Sequence, residues 1–313
     1  MKKKKIYGNS LKEQLQASRM DRLYNFLLAD GTLRGCVVNG TRMINEMRWN
    51  HELGILETLV LGHAYLGAAL MSANLKGNDR LGLQVDCSGP IKGLSVEANA
   101  YGEVRGYLKQ VPIPVDKPLE SFDLSPFFGA GFLSVTKYLE DAKQPFTGKV
   151  MMAYGRLAKD LAHYFLTSEQ IPTAFSLSVS YDRQGEVTGA GGLMLQAMPG
   201  AEDNILARIE DKVHALESIG DAVNDEGFPG QWIEENFAGF GPRLLENRGV
   251  EFMCHCNADR IRTMIAMLKP EDLQDMAANG PFPLEVRCHY CHTLYELTKE
   301  EITAIAGMRR SDN

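Results

Sequence analysis

Between residues 80 and 108 apolar and polar positions alternate with a period of two: Leu81, Leu83 and Val85 are interleaved with Gly82, Gln84 and Asp86. Segments 91–98 and 104–108 continue the pattern, divided by Ser88-Gly89-Pro90 and Tyr101-Gly102. Alternation puts successive side chains on opposite faces of a strand, and the dividing residues are turn formers, so the stretch predicts an antiparallel meander. Residues 21–30 are mostly apolar and end on Asp30-Gly31, a turn signal, and 33–38 reads as a short strand. From 52 to 76 the period becomes helical, with Leu53, Leu56, Leu59, Val60, His63, Leu66 and Leu70 on one face and Lys76-Gly77 as the stop. Gly62, Ala64, Gly67, Ala68 and Ala69 make this helix thin enough for another element to approach closely.

Pro112, Pro114, Pro118 and Pro126 break the next stretch into loop, and 132–136 resumes the sheet. Residues 151–169 read as a helix with Leu157, Leu161 and Phe165 on one side, and 174–181 and 186–198 as strands. Gly189-Ala190-Gly191-Gly192 is not a phosphate cradle, because no Gly-Lys-Ser/Thr ending and no helix follow it. The pattern assigns 1–200 to an α+β core domain, an antiparallel sheet with packed helices.

Residues 201–250 differ in kind, with eleven Asp/Glu against four Lys/Arg. Leu206, Ile209, Val213 and Leu216 mark one amphipathic helix, and Phe228, Trp232, Phe237 and Phe240 stand among glycines and prolines. Two readings stay open: an inert acidic linker, or a marginal layer whose apolar residues are covered only while another part holds it down. Residues 251–313 form a small third unit. Asn257 is placed to cap a helix running to Leu268, Pro270 starts a second that ends at Asn279-Gly280-Pro281, and 284–287 and 294–297 read as strands. A unit this small has little core and needs a staple.

The whole chain, 313 residues with 44% hydrophobic and 23% charged, has the composition of a globular protein. No run approaches the roughly 18 apolar residues of a membrane span, so no membrane partner is expected. The opening Met-Lys-Lys-Lys-Lys has no apolar stretch or cleavage site behind it and reads as a solvated tail, which makes the cytoplasm the expected compartment. A net charge of −7 argues against a nucleic-acid partner.

Four of the six cysteines fall in two close pairs, Cys254-His255-Cys256 and Cys288-His289-Tyr290-Cys291. Two such pairs brought together supply four soft ligands for a tetrahedral Zn²⁺, one per chain in the reduced state. In a reducing compartment paired cysteines serve metals or redox sensing. Spacing leaves open whether the site is a closed structural knuckle, binding nucleic acid or a protein constitutively, or a thiol switch. A zinc deaminase is excluded, for it needs His-x-Glu and an open coordination position. Cys36 and Cys87 have no partner at useful spacing and read as apolar fillers.

With these motifs in place, the chain resembles the heat-shock protein 33 family of redox-regulated holdase chaperones. The resemblance is carried by Leu75-Lys76-Gly77, Arg80-Leu81, Gly89-Pro90, Glu97-Ala98-Asn99 and Arg105-Gly106-Tyr107. It continues through Tyr164-Phe165, Ser168-Glu169-Gln170-Ile171-Pro172-Thr173, Ala190-Gly191-Gly192, Gln196 with Pro199, and the two cysteine pairs. Two departures are Asp86-Cys87-Ser88, which adds a thiol the family does not normally have, and Ala277-Ala278-Asn279-Gly280-Pro281, which lacks an acidic residue ahead of the second pair. The resemblance implies an ATP-independent chaperone that is not an enzyme, with a core domain, a metastable linker (201–250) and a zinc-binding redox switch (251–313). It implies that Cys254, Cys256, Cys288 and Cys291 bind zinc, and that oxidation links Cys254 to Cys256 and Cys288 to Cys291. The metal is then lost, the linker loosens, and apolar residues in it, with Leu206, Ile209, Val213, Leu216, Trp232, Phe237 and Phe240 as candidates, hold unfolding clients. It also implies a homodimer in the oxidised state.

Overall fold

The structure, a computed structural model, describes residues 1–4, 20–115, 123–225 and 227–308. Its strands are β1 (Arg22–Leu28), β2 (Leu33–Asn39), β3 (Arg80–Cys87), β4 (Gly93–Asn99), β5 (Glu103–Leu108), β6 (Gly131–Tyr138), β7 (Phe146–Met151), β8 (Thr173–Tyr181), β9 (Val187–Ala197), β10 (Arg243–Gly249), β11 (Glu251–Phe252), β12 (Leu284–Arg287) and β13 (Leu294–Leu297). One sheet runs β10-β1-β2-β9-β8 and is antiparallel throughout. A second runs β11-β5-β4-β3-β6-β7, and its β3-β4-β5 part is the expected meander. Only β11 joins that sheet in parallel, along β5. The hairpin β12-β13 belongs to the C-terminal unit. The fold is the mixed α+β class with antiparallel sheets that the alternation predicts.

The helices that position the site are α1 (Thr41–His51), α2 (Ile55–Met71), α3 (Leu157–Tyr164), α4 (Asp203–His214), α5 (Ile219–Ala222), α6 (Gly230–Phe237), α7 (Ala258–Ala266), α8 (Pro270–Asn279) and α9 (Lys299–Met308). The helix expected over 52–76 starts later, because Glu52 takes a left-handed conformation (φ 58°) that closes α1. Sequence pattern misses α1 because its inward face carries Asn45, Glu46, Asn50 and His51 beside Met43, Ile44 and Met47, all buried. The helix expected over 151–169 is also shorter: β7 takes Met151, and α3 begins at Leu157. Buried Asp160 accepts hydrogen bonds from the backbone N–H groups of Ala153, Tyr154 and Arg156, fixing the loop between them.

The stretch Ile55–Asn74 is, against the expectation from sequence, apolar and long enough to cross a membrane by length and composition, but 89% of that window is buried inside the protein. It lies between the two sheets, against β4 and β5 of one and β8 and β9 of the other. Its small residues do what their size suggests: a Cβ at Gly67 would sit 2.8 Å from Leu161 of α3, and one at Gly62 3.2 Å from Val179 of β8.

The far face of the first sheet carries a separate buried cluster. Phe26, Leu28, Leu33, Val37, Leu193 and Leu195 project from β1, β2 and β9. Ile209 of α4, Ile219 of α5, Val223, and Trp232, Ile233 and Phe237 of α6 close over them. The glycines of β9 make room: a Cβ at Gly189 would lie 1.8 Å from the Gly220 carbonyl, and one at Gly191 2.7 Å from Ile219. Residues 201–250 are thus layered on the sheet, and the last of them, β10, pair with β1 as its edge strand.

Candidate metal centre

The chain passes from one sheet to the other just before the first cysteine pair. Val250 N–H donates to the Asp21 carbonyl beside β1, Glu251 N–H to Gly102 and Met253 N–H to Val104 beside and within β5. The crossing is tight: a Cβ at Gly102, whose φ is +86°, would lie 2.0 Å from the Gly249 carbonyl, so only glycine fits. Phe252 is fully buried against Tyr65 and His51, with ring centroids 6.2 Å away in each case, and Cys254 follows. The second pair sits on the turn between β12 and β13, where Cys288 N–H donates to the Thr293 carbonyl and His292 N–H to the Cys288 carbonyl. Helices α7 to α9 pack behind this hairpin through Ile261, Ile265, Leu273 and Ile302. Asn257 caps α7 as its sequence predicts, its side chain accepting from Arg260 N–H at 2.8 Å.

The four sulfurs of Cys254, Cys256, Cys288 and Cys291 converge, all within 4.8 Å of one another. Cys254 and Cys288 are 3.8 Å apart and Cys256 and Cys291 3.3 Å. Four thiolates at about 2.3 Å from a tetrahedral Zn²⁺ would be roughly 3.8 Å apart, so the donor set fits that metal in number, softness and spacing. All four thiols are free. Competition for protons among them gives the same chemistry: hydrogen bonds from Cys288 and Cys291 hold Cys254 far below the usual thiol range. Cys288, bonded to Cys254, is pushed up to about 11, and Cys291 is raised for the same reason. A divalent cation would take the place of those protons.

The surroundings tie this cluster to the core. Arg105 of β5 reaches Cys254 at 3.7 Å and is ion-paired to Glu97 of β4 at 2.6 Å. Burial opposes its charge, but Glu97 and Cys254 more than restore it. Its guanidinium also lies over the Tyr290 ring, 4.5 Å from the centroid, and Tyr290 Oη donates to Glu97. On the other side Asn50 Nδ2 donates to the Cys291 carbonyl at 3.0 Å, and the His51 and His292 rings stack at 5.6 Å. Tyr295 Oη donates to Cys256 at 3.1 Å. Cys254 and Cys291 belong to the main core cluster, whereas Cys256 and Cys288 touch both it and the cluster behind the hairpin. The four-cysteine cluster is therefore the seam between the two.

Spacing alone brings the four cysteines together, and the structure does the same; it leaves Cys36 buried in the core and Cys87 half-buried. His255 bonds to Glu103 and stands apart from the cluster. Of the arginines near the cysteines, Arg262 pairs with Asp259 and Glu301 and Arg260 donates to the His255 carbonyl. The seven apolar residues singled out in 201–250 all pack in the cluster on the first sheet, with Ile209, Trp232 and Phe237 buried and Leu206, Val213, Leu216 and Phe240 partly so. The sheet residues beneath them escape sequence reading, because β1 and β2 are buried on both faces and so show no clean alternation. The N-terminal lysines, expected as a solvated tail, instead reach the centre: Lys2 N–H donates to Thr293 Oγ1 at 3.2 Å.

A two-sheet core, an apolar layer folded over one sheet and a cluster of four cysteines able to hold a metal ion define an α+β protein with a four-cysteine site near its C-terminus. The Hsp33 protein family model matches residues 21–298, and the chain belongs to that family. It is 36% identical over 287 residues to the 33 kDa chaperonin of Syntrophotalea carbinolica, covering 91% of this chain and 99% of that relative. It is 34% identical to a 33 kDa chaperonin of Thermus thermophilus, covering 92% of this chain and 87% of that relative. The crystal structure of the 33 kDa chaperonin (heat shock protein 33 homolog) of Thermotoga maritima superposes with a TM-score of 0.84 at 31% identity, covering 94% of this chain and all of that one.

Proposed function

We propose that this chain is an ATP-independent holdase chaperone switched by thiol oxidation, acting in a reducing compartment such as the cytoplasm. The observation that carries the reading is the convergence of four free thiols at the seam between the core and the C-terminal module. Bound Zn²⁺ would supply a cross-link between the two pairs, with an apparent binding free energy of about 10–16 kcal/mol for structural sites of this kind. A whole domain is stable by only about 5–15 kcal/mol, so a module built on this small cluster depends on that cross-link.

Oxidation removes it. Each pair of thiolates gives up two electrons to one peroxide, which takes two protons from solvent and is reduced to two waters, and a sulfur–sulfur bond joins Cys254 to Cys256 or Cys288 to Cys291. The sulfurs then have no charge to offer a cation. Such short loops constrain an unfolded chain little, so the disulfides do not replace the staple. The chain from Cys254 back through β11 and β10 leads directly into the layer of α4 to α6. Once the module lets go, that layer loosens and uncovers Phe26, Leu28, Leu33, Val37, Leu193 and Leu195 together with its own Leu206, Ile209, Val213, Leu216, Trp232, Phe237 and Phe240. Unfolding proteins are held on this apolar surface, and the oxidised chain pairs with a second copy.

The test is light scattering from a thermally unfolding client. Protein treated with peroxide under mild heat should suppress aggregation and reduced, zinc-loaded protein should not. Equal suppression by both forms, or by neither, contradicts the reading.

A further inference from the structure

Residues Met1–Lys4 lie across the metal centre and are held by groups from three parts of the chain. The Met1 nitrogen donates to the Cys256 carbonyl at 2.8 Å, and Lys2 N–H donates to Thr293 Oγ1, which also accepts from the Cys291 thiol at 3.2 Å. This short segment thus touches the first cysteine pair directly and reaches the second through Thr293. Asn50 of α1, only 2% exposed, gathers it from the core side: its Oδ1 accepts from Lys4 N–H at 3.0 Å, and its Nδ2 donates to the Lys2 carbonyl at 3.1 Å and to the Cys291 carbonyl at 3.0 Å. Side chains add to this. Lys3 Nζ bridges Glu46 of α1 at 2.6 Å and Glu251, just ahead of the first pair, at 3.2 Å, and Lys4 Nζ pairs with Glu52 at 2.5 Å.

We propose that Lys2–Lys4, gathered by Asn50, is a strap that holds the Cys288–Cys291 turn on α1 and sets how readily the metal module opens. The coupling follows from shared partners. Asn50 is a buried amide whose side-chain hydrogen bonds, among the described residues, run to the strap and to the turn, so loss of either strips Asn50 of partners that also position the other. Thr293 lies on the module side, so a module that swings away takes that contact of the strap with it, while Glu251, on β11 of the core sheet, and Glu46 hold Lys3 to the core. By linkage, a strap that binds only the closed arrangement must stabilise it. The Glu46 side chain is almost wholly covered, and Lys3 and Arg42 both pair with it. The strap needs only a docked module, and its control of client holding rests on the redox reading above.

Amide hydrogen exchange and zinc transfer to a chromogenic chelator, both on reduced, zinc-loaded full chain without oxidant, test it. Deletion of Lys2–Lys4 should speed exchange over 288–293 and zinc transfer by about tenfold or more, the factor that losing a few net hydrogen bonds implies. Lys3→Glu, which sets a carboxylate against Glu46 and Glu251, should do the same in lesser degree, and Asn50→Asp, which cannot donate to Lys2 or Cys291, should match the deletion. Protection of β2 and β9 should stay as in the parent. Unchanged exchange over 288–293 in the deletion and in Lys3→Glu overturns the proposal, and so does an equal loss of protection across the whole chain. A chain whose reduced and oxidised forms hold client alike would defeat the redox reading and leave the strap to be judged on exchange alone.

Discussion

The ring of Phe237 on α6 lies 6.0 Å from the ring of Phe26 on β1, tilted 34° to it, and both side chains are fully buried. Trp232 packs edge-on against the same Phe237 ring at 6.0 Å. This is where the 201–250 layer is anchored on the first sheet. Truncating a buried aromatic ring costs about 3–5 kcal/mol, a large loss at the ring that joins the layer to β1. Phe237→Ala should therefore release the layer without oxidation. Reduced, zinc-loaded Phe237→Ala should suppress client aggregation where the parent does not; a variant as inactive as the parent would show that the layer is not the cover.

Reduced protein should carry one zinc per chain, and Cys254→Ser, Cys256→Ser, Cys288→Ser and Cys291→Ser should each lose most of it. Cys36→Ser and Cys87→Ser should keep it, since neither lies in the cluster. Metal analysis of the purified variants decides, and full zinc in Cys288→Ser would defeat the four-sulfur assignment.

Oxidation should join Cys254 to Cys256 and Cys288 to Cys291. In the folded cluster the close contacts run between the pairs, Cys254 to Cys288 and Cys256 to Cys291. Once the module opens, those contacts part and only the chain neighbour stays near. Peptide mapping of peroxide-treated protein should find the two local links with Cys36 and Cys87 free; mainly Cys256–Cys288 links, or Cys87 joined to any of the four, would contradict this.

How far the sequence carried these conclusions depended on where each side chain's partners lie. The meander of β3 to β5 and the Asn257 cap are local patterns and were legible, as were the four cysteines, whose chemistry needs only proximity. Helix α1 was not, because its inward face pairs Asn50 and Glu46 with groups that lie far along the chain. The Lys-rich start was misread for the same reason: Thr293, Glu251 and Asn50, which hold it, cannot be assigned to it from spacing. The role of Gly189 and Gly191 in β9 emerged only with α5 packed against them, and that of Gly192 with Leu70 of α2 and Leu177 of β8 beside it.

Asp21 joins the same junction, accepting from the N–H groups of Met43 at 2.6 Å and Arg42 at 3.2 Å at the start of α1. Burial raises its pKa from 3.8 to about 7, against the lowering effect of those two bonds. A folded-state pKa above the unfolded one means that the folded chain binds the extra proton between these values. The stabilisation is complete below about pH 4 and is lost as pH rises through 7. Asp21→Asn should remove this slope, on the order of 2–4 kcal/mol between pH 4 and 7. Denaturant titrations of parent and variant at both ends of that range check it, and parallel pH profiles would count against it.

The most direct test of the account is amide hydrogen exchange across 203–237 and across β1, β2 and β9, compared between reduced, zinc-loaded and peroxide-oxidised protein. If the metal module holds the layer on the sheet, α4 to α6 should be protected in the reduced form and exchange freely after oxidation. In that case the Phe26, Leu33, Val37 and Leu193 segments should lose part of their protection while α2 keeps its own. Equal protection of 203–237 in both forms would mean that the layer never lifts, and would contradict the account.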